Sequence, residues 1–227
     1  MSLMQGDHGY FYNILNGVDI RPHRWWSSGP TASFPNHCCS YSNPEFLADR
    51  YDSYSIFELN LFYGQSHKYF DSISRAEILD LLSLTSDVQE EAAKMVVDPA
   101  IMATASHVIC IHTRRGDFVD SSKAAHSEFD FTVAATEALV GKGAHHNNAY
   151  SPVAEWEFSR RHCNDVLLTA SASTFGWWIA FHSEGDVYYN KKYEKNERGF
   201  GIAFQPDDFF YDHWKAVEVD EGRVIGI

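Results

Sequence analysis

In the second half of the chain, short apolar runs alternate with helical patterns, and this alternation limits the fold more than any other feature. Val108, Ile109, Cys110 and Ile111 form a four-residue apolar run between polar neighbours. A run this short reads as a buried strand of a parallel sheet. A helical pattern follows over 129–140, then a Gly/His/Asn-rich stretch over 141–148, then a second helical pattern over 153–162. A second apolar run covers 166–169, a helix is expected over 173–181, and Val187, Tyr188 and Tyr189 read as a third strand. Strand, helix, helix, strand, helix, strand is the order of crossover units, and it predicts an α/β fold.

The upstream half is less regular. Residues 1–50 carry Gly6, Gly9, Gly17, Pro22, Gly29, Pro30, Pro35 and Pro44 without strong periodicity. So long a loop-rich stretch is unusual in a compact domain, and suggests that the natural N-terminal half is missing or altered. Ser74 and Glu77 have the spacing of a capping box, with Ile78, Leu81 and Leu82 on one face beyond it. Ser86 and Gln89 repeat the device ahead of Ala92, Met95 and Val96. Two amphipathic helices are expected here, giving a helical and loop-rich region over 1–103 and a second region over 104–227.

Composition weighs against several partners. The net charge is −13, which disfavours sequence-independent binding to nucleic acid or an anionic membrane surface. No stretch approaches the roughly 20 apolar residues of a membrane span, and residues 1–17 lack the basic and apolar blocks of a signal peptide. Aromatics make up 15% of the chain, which argues for a packed core. Cys38, Cys39, Cys110 and Cys163 form no CxxC pair, which weighs against zinc and thioredoxin-type chemistry. Cys38 and Cys39 are either free thiols or paired with distant partners.

The chemistry-bearing residues follow the apolar runs. His112, Thr113, Arg114, Arg115, Gly116 and Asp117 come directly after the first one, and open α/β sheets bind ligands beyond the carboxyl ends of their strands. Two guanidinium groups can fork onto the oxygens of a diphosphate, with charge-assisted bonds of roughly 1.5–3 kcal/mol each. Gly116 would allow close backbone approach, and Asp117 can hold one Arg by pairing with it. A plain surface cluster explains the same spacing, and Arg115-Gly116-Asp117 is an adhesion motif only on an exposed loop tip. After the second run, Ser173 and Thr174 open a helix whose N-terminus favours an anion. Phe175 can pack on a nucleotide and Gly176 keeps the approach open; an ordinary Ser/Thr cap on a buried aromatic helix is the simpler reading.

Residues 112–118 (HTRRGDF) and 169–178 (TASASTFGWW), in this order, resemble the family 11 glycosyltransferases, which are α-1,2-fucosyltransferases, and look most like the nematode branch. Tyr63 to Phe70 (YGQSHKYF) is similar to a segment upstream of that family's Arg motif, and Asp208 to Trp214 (DFFYDHW) to a closing segment. The resemblance implies a GT-B enzyme with a Rossmann-like donor domain over 104–227 and an incomplete acceptor-side region over 1–103. It implies inverting transfer of fucose from GDP-fucose to a galactoside hydroxyl of a glycan acceptor, with no metal or other cofactor, in the Golgi membrane or lumen. Arg114 and Arg115 would hold the diphosphate, with Asp117 beside them, and His112 would orient their loop. Ser173, Thr174 and Phe175 would complete the phosphate and nucleotide side. Asp117, Asp120 and Glu155 are the candidates for the base.

Two family features are absent: a glycine-rich opening within 1–50, and a strand ending in an Asp-Asp turn between the two motifs. A non-catalytic paralogue that binds nucleotide-sugar or glycan therefore stands as the alternative, with an unrelated phosphate-binding α/β enzyme as a third. Other clusters read more simply. His145 and His146 form a solvated pair, Asp207 and Asp208 a loop or helical cap, and Trp177 and Trp178 core with one ring on the sheet. The run from Lys191 to Lys195 reads as a solvated mixed-charge loop.

Overall fold

The computed structural model describes residues 30–34, 38–54, 58–60, 64–95, 106–140, 151–195, 200 and 204–227. The chain divides into two units, Met1–Leu82 with Phe200–Tyr211, and Ser83–Gly199 with Asp212–Ile227. The Gly/His/Asn-rich stretch, with His145 and His146, and the turn-rich residues 1–29 lie outside the described residues.

In the first unit, β1 (Thr31–Ser33) pairs in parallel with β2 (Glu58–Asn60), and α1 (Glu45–Tyr51) lies between them in sequence. A 3-10 turn, His67–Tyr69, precedes α2 (Arg75–Leu81). The capping box forms as the sequence requires: Glu77 N donates to Ser74 Oγ at 3.3 Å and Ser74 N to Glu77 Oε2 at 3.1 Å. The expected apolar face is narrower, since Ile78 is buried while Leu81 is 61% exposed. A short helix, Pro206–Phe209, holds Asp207 and Asp208 in its first turn. Asp208 accepts from Lys68 Nζ at 2.6 Å and Tyr41 N at 2.7 Å, and Ser66 Oγ donates to its carbonyl at 2.7 Å. Segments 140 to 167 residues apart in sequence are thereby joined. Within the same cluster the rings of His67 and Tyr211 lie 4.4 Å apart, and His67 Nδ1 contacts Asp71 at 3.0 Å. Burial, reinforced by the Asp71 charge, pushes the Tyr211 hydroxyl well up. Cys38 is bonded to its neighbour Cys39, so neither alternative drawn from sequence holds for that pair.

The second unit is a five-stranded sheet in the order β3 (Ile109–His112), β4 (Asp165–Leu168), β5 (Val187–Asn190), β6 (Lys215–Asp220) and β7 (Arg223–Gly226). The first four are parallel and β7 is antiparallel to β6, so the fold is α/β with a mixed sheet. The first two strands begin within a residue of their expected positions, and the third begins where expected. All of β4 is buried, as an apolar run covered on both faces must be. Most of β3 is only half-buried, because among the described residues it has a strand neighbour on one side.

The β6–β7 hairpin was not anticipated, although its signal is present. Val217 is buried and Glu218 exposed, the alternation of a strand with one covered face. Glu221 and Gly222 both have positive φ, 44° and 73°, as a two-residue hairpin turn of the right twist demands.

The helices are α3 (Ser86–Ala93), α4 (Gly116–Val119), α5 (Phe129–Val140), α6 (Pro152–His162) and α7 (Thr174–His182). The cap of α3 is Thr85 rather than Ser86, and Gln89 reaches back to the Leu84 carbonyl at 2.8 Å. Phe131 and Ala135 of α5 pack against Leu167 and Val217 of the sheet. Ser151 caps α6 and binds Glu91 of α3 through its N–H at 3.0 Å and its hydroxyl at 2.8 Å. Trp177 is buried among Trp178, Phe181 and Trp214. Cys110 of β3 is bonded to Cys163, which closes α6, with Cα atoms 5.5 Å apart.

Candidate active site

His112 and Leu168 are register partners at the ends of adjacent parallel strands β3 and β4. The two chemistry-bearing segments therefore leave the sheet side by side, at the carboxyl edge where α/β sheets bind ligands. Hydrogen bonds join them directly. Thr169 donates to the His112 carbonyl through its N–H at 3.2 Å and its hydroxyl at 2.8 Å. The same hydroxyl shares a 2.6 Å bond with Ser127 Oγ. Nothing in the spacing pointed to Ser127, which lies in the connection between α4 and α5; the only cue was a small hydroxyl residue just before a helix.

The two arginines differ. Arg114 places Nε on Asp117 Oδ1 at 2.9 Å and Nη2 on Oδ2 at 3.1 Å, a two-pronged pair. The Arg114 hydrogen bonds hold the Asp117 carboxyl below its ordinary range. Arg115 is exposed and makes one bond, from Nη1 to the Ser127 carbonyl at 2.8 Å. Its other N–H groups point to no partner within the described residues. Arg115, Gly116 and Asp117 form the start of α4 rather than a loop tip, which removes the setting an adhesion motif needs.

The two glycines of these segments differ in what surrounds them. A Cβ on Gly116 would meet nothing within 4 Å, so the protein itself sets no requirement for glycine there. At Gly176 a Cβ would collide with Cδ2 of His112. The missing side chain is thus filled by the His112 imidazole instead of being left open to a ligand. His112 Nε2 lies 3.3 Å from Ser173 Oγ, and its ring sits 5.8 Å from that of Phe175. The histidine that ends β3 is therefore seated on the first turn of α7.

Ser173 is 2% exposed and is the N-cap of α7, its Oγ accepting from Gly176 N at 3.3 Å. That hydroxyl is committed inside the protein. Thr174 and Phe175 are half-buried, and their backbone N–H groups, at the first two helical positions, have no acceptor within the helix. No acidic residue occupies this turn, which keeps the helix terminus favourable to an anion.

The lysine-rich run after β5 is more than a solvated loop. Ala125 N donates to Tyr193 O at 3.0 Å and Lys195 N to Lys123 O at 2.8 Å. Lys195 Nζ reaches the Val119 carbonyl at 2.8 Å, and Lys192 pairs with Glu128 at 2.9 Å. The connection after the arginine turn is held from this side as well. Among the candidate bases, Asp117 is tied to Arg114, Asp120 is an exposed residue closing α4, and burial pushes the Glu155 carboxyl up. No hydrogen bond links Glu155 to either loop among the described residues.

The sequence pattern of glycosyl transferase family 11 matches residues 33–134, which include the arginine turn. A Caenorhabditis elegans protein provisionally named galactoside 2-alpha-L-fucosyltransferase svh-11 is 30% identical over 247 aligned residues, 91% of this chain and 63% of that protein. The chain is thus similar to glycosyl transferase family 11 over residues 33–134. A second C. elegans protein, named galactoside 2-alpha-L-fucosyltransferase, is 28% identical over 81% of this chain and 58% of its own length. A rabbit galactoside alpha-(1,2)-fucosyltransferase 2 is 30% identical over 63 residues, 28% of this chain and 17% of that protein. The chain spans about three fifths of the length of these two nematode relatives. No solved structure matches it at a significant level.

Proposed function

We propose that the second unit is the Rossmann-like donor domain of a GT-B glycosyltransferase, which binds GDP-fucose and passes fucose to a galactoside hydroxyl with inversion. The observation that carries this reading is the joining of the two loops, through Thr169, Ser127 and His112, at the carboxyl edge of β3 and β4. Arg115 offers there the guanidinium N–H groups that its Nη1 bond to Ser127 leaves over, and the start of α7, after the neighbouring strand, offers free N–H groups. A cleaving sugar–phosphate bond leaves charge on the diphosphate, and fixed cations stabilise that charge without a divalent metal. Arg114, held by Asp117, adds a second positive group and stiffens the turn. His112 supports the arrangement by seating the arginine turn against α7, and Phe175 flanks it on the nucleotide side. The Cys110–Cys163 bond suits an oxidising compartment, in keeping with a Golgi location.

The test is release of GDP from GDP-fucose in the presence of a β-galactoside. Acceptor-dependent release supports the transferase. Binding of GDP without release would favour the non-catalytic alternative, in which the chain holds a nucleotide-sugar but transfers nothing.

A further inference from the structure

We infer that Ser127 is a positioning residue for the diphosphate site, an inference that rests on the donor-binding reading above. Ser127 is 3% exposed and its polar groups are committed to the arginine turn and the end of β4. Its N–H donates to the Arg114 carbonyl at 2.9 Å, and its Oγ accepts from Arg114 N at 2.8 Å. Its carbonyl takes Arg115 Nη1 at 2.8 Å, and its Oγ meets Thr169 at 2.6 Å. One buried serine thus fixes the backbone of one arginine and the guanidinium of the other, and ties both to the second loop.

The physical consequence is preorganisation. An exposed arginine samples many rotamers, and ordering it on binding weakens affinity. Here one Nη1 is held in advance and the remaining N–H groups are left for oxygens of a ligand. Any residue could supply a carbonyl, but the carbonyl is aimed only if its own residue is fixed. The hydroxyl does that, through Arg114 N on one side and Thr169 on the other. Removing it leaves the part-buried Arg114 N–H without its acceptor and the Thr169 hydroxyl with its bond to the His112 carbonyl alone.

The experiment is calorimetric titration of GDP into the full chain, its Ser127→Ala and Arg115→Ala variants, and the double variant. Ser127→Ala is expected to weaken GDP about tenfold. In the Arg115→Ala background the same change should lose most of its effect, because the serine acts through that guanidinium. A folded Ser127→Ala variant with native affinity, or an effect undiminished by Arg115→Ala, overturns the inference and leaves the donor-binding reading standing. If Ser127→Ala does not fold, Thr169→Val removes the other half of the hydroxyl pair. It should weaken GDP with the same dependence on Arg115, and a null or additive result there is equally decisive against the inference. A native chain that binds no GDP removes both.

Discussion

The segments that follow β3 and β4 are neighbours in space and opposites in character. The first is charged and mostly exposed: Arg115, Gly116 and Asp117 face solvent and Arg114 is half-exposed. The second is neutral and closed, with Thr169, Ala170, Ser171 and Ser173 all buried. Ser171 Oγ is bonded to the Asn190 carbonyl at 2.6 Å, and Asn190 Nδ2 donates to Thr169 O at 3.2 Å, so that loop is anchored to β5 as well. The difference is one of task. The β3 segment presents charge, and the β4 segment is the frame that holds it, with Thr174 and Phe175 at the start of α7 half-buried.

If that division is right, Arg115→Ala has the largest effect. Two lost charge-assisted bonds correspond to about a hundredfold weaker GDP binding, read by calorimetric titration, with the thermal midpoint unchanged because the side chain is exposed. Gly176→Ala attacks the frame. The added methyl meets the His112 ring, and overpacking of this kind costs about 2 kcal/mol of stability in a urea melt. Native stability in that variant would mean that His112 moves freely and is not the seat of the turn. Ser173→Ala removes a helix cap and should cost about 1 kcal/mol. A larger effect on GDP affinity than on stability would instead make Ser173 a ligand contact.

Asp117→Asn gives the smallest effect. The pair with Arg114 is solvent-exposed, with Asp117 64% accessible, and such pairs contribute below about 1 kcal/mol. Its pH dependence has a fixed sign. The folded carboxyl titrates below its unfolded value of about 3.9, so the pair's contribution is fully present above that value and disappears as the pH falls through the folded one. The stability gap between the native chain and Asp117→Asn, measured by melts across a pH series, should be flat above pH ~4 and should close below it. A gap that widens in acid would place the stabilising charge elsewhere.

The parallel strands and their crossover helices were legible because period and length distinguish a four-residue apolar run from a twelve-residue amphipathic one. Helix α5 spans the same residues that the pattern predicts, Phe129–Val140. The β6–β7 hairpin was harder to read, since its alternation is broken by a register shift between Glu218 and Val219 and its turn lacks an Asn-Gly or Asp-Gly pair. At the site, residue type gave the charged groups and Asp117 as a partner for one arginine, but not which arginine it holds nor the part of Ser127. Which arginine pairs with Asp117 depends on where α4 begins, and Ser127 matters only because the β3–β4 register brings Thr169 to it. The role of Gly176 likewise depends on a histidine 64 positions earlier in the chain.

Thermal denaturation of the native chain with GDP, ADP and UDP tests the central claim most directly. The account predicts that GDP raises the midpoint and that ADP and UDP do not. Equal stabilisation by all three would contradict recognition of a guanine nucleotide, and no stabilisation by any would contradict the diphosphate site itself.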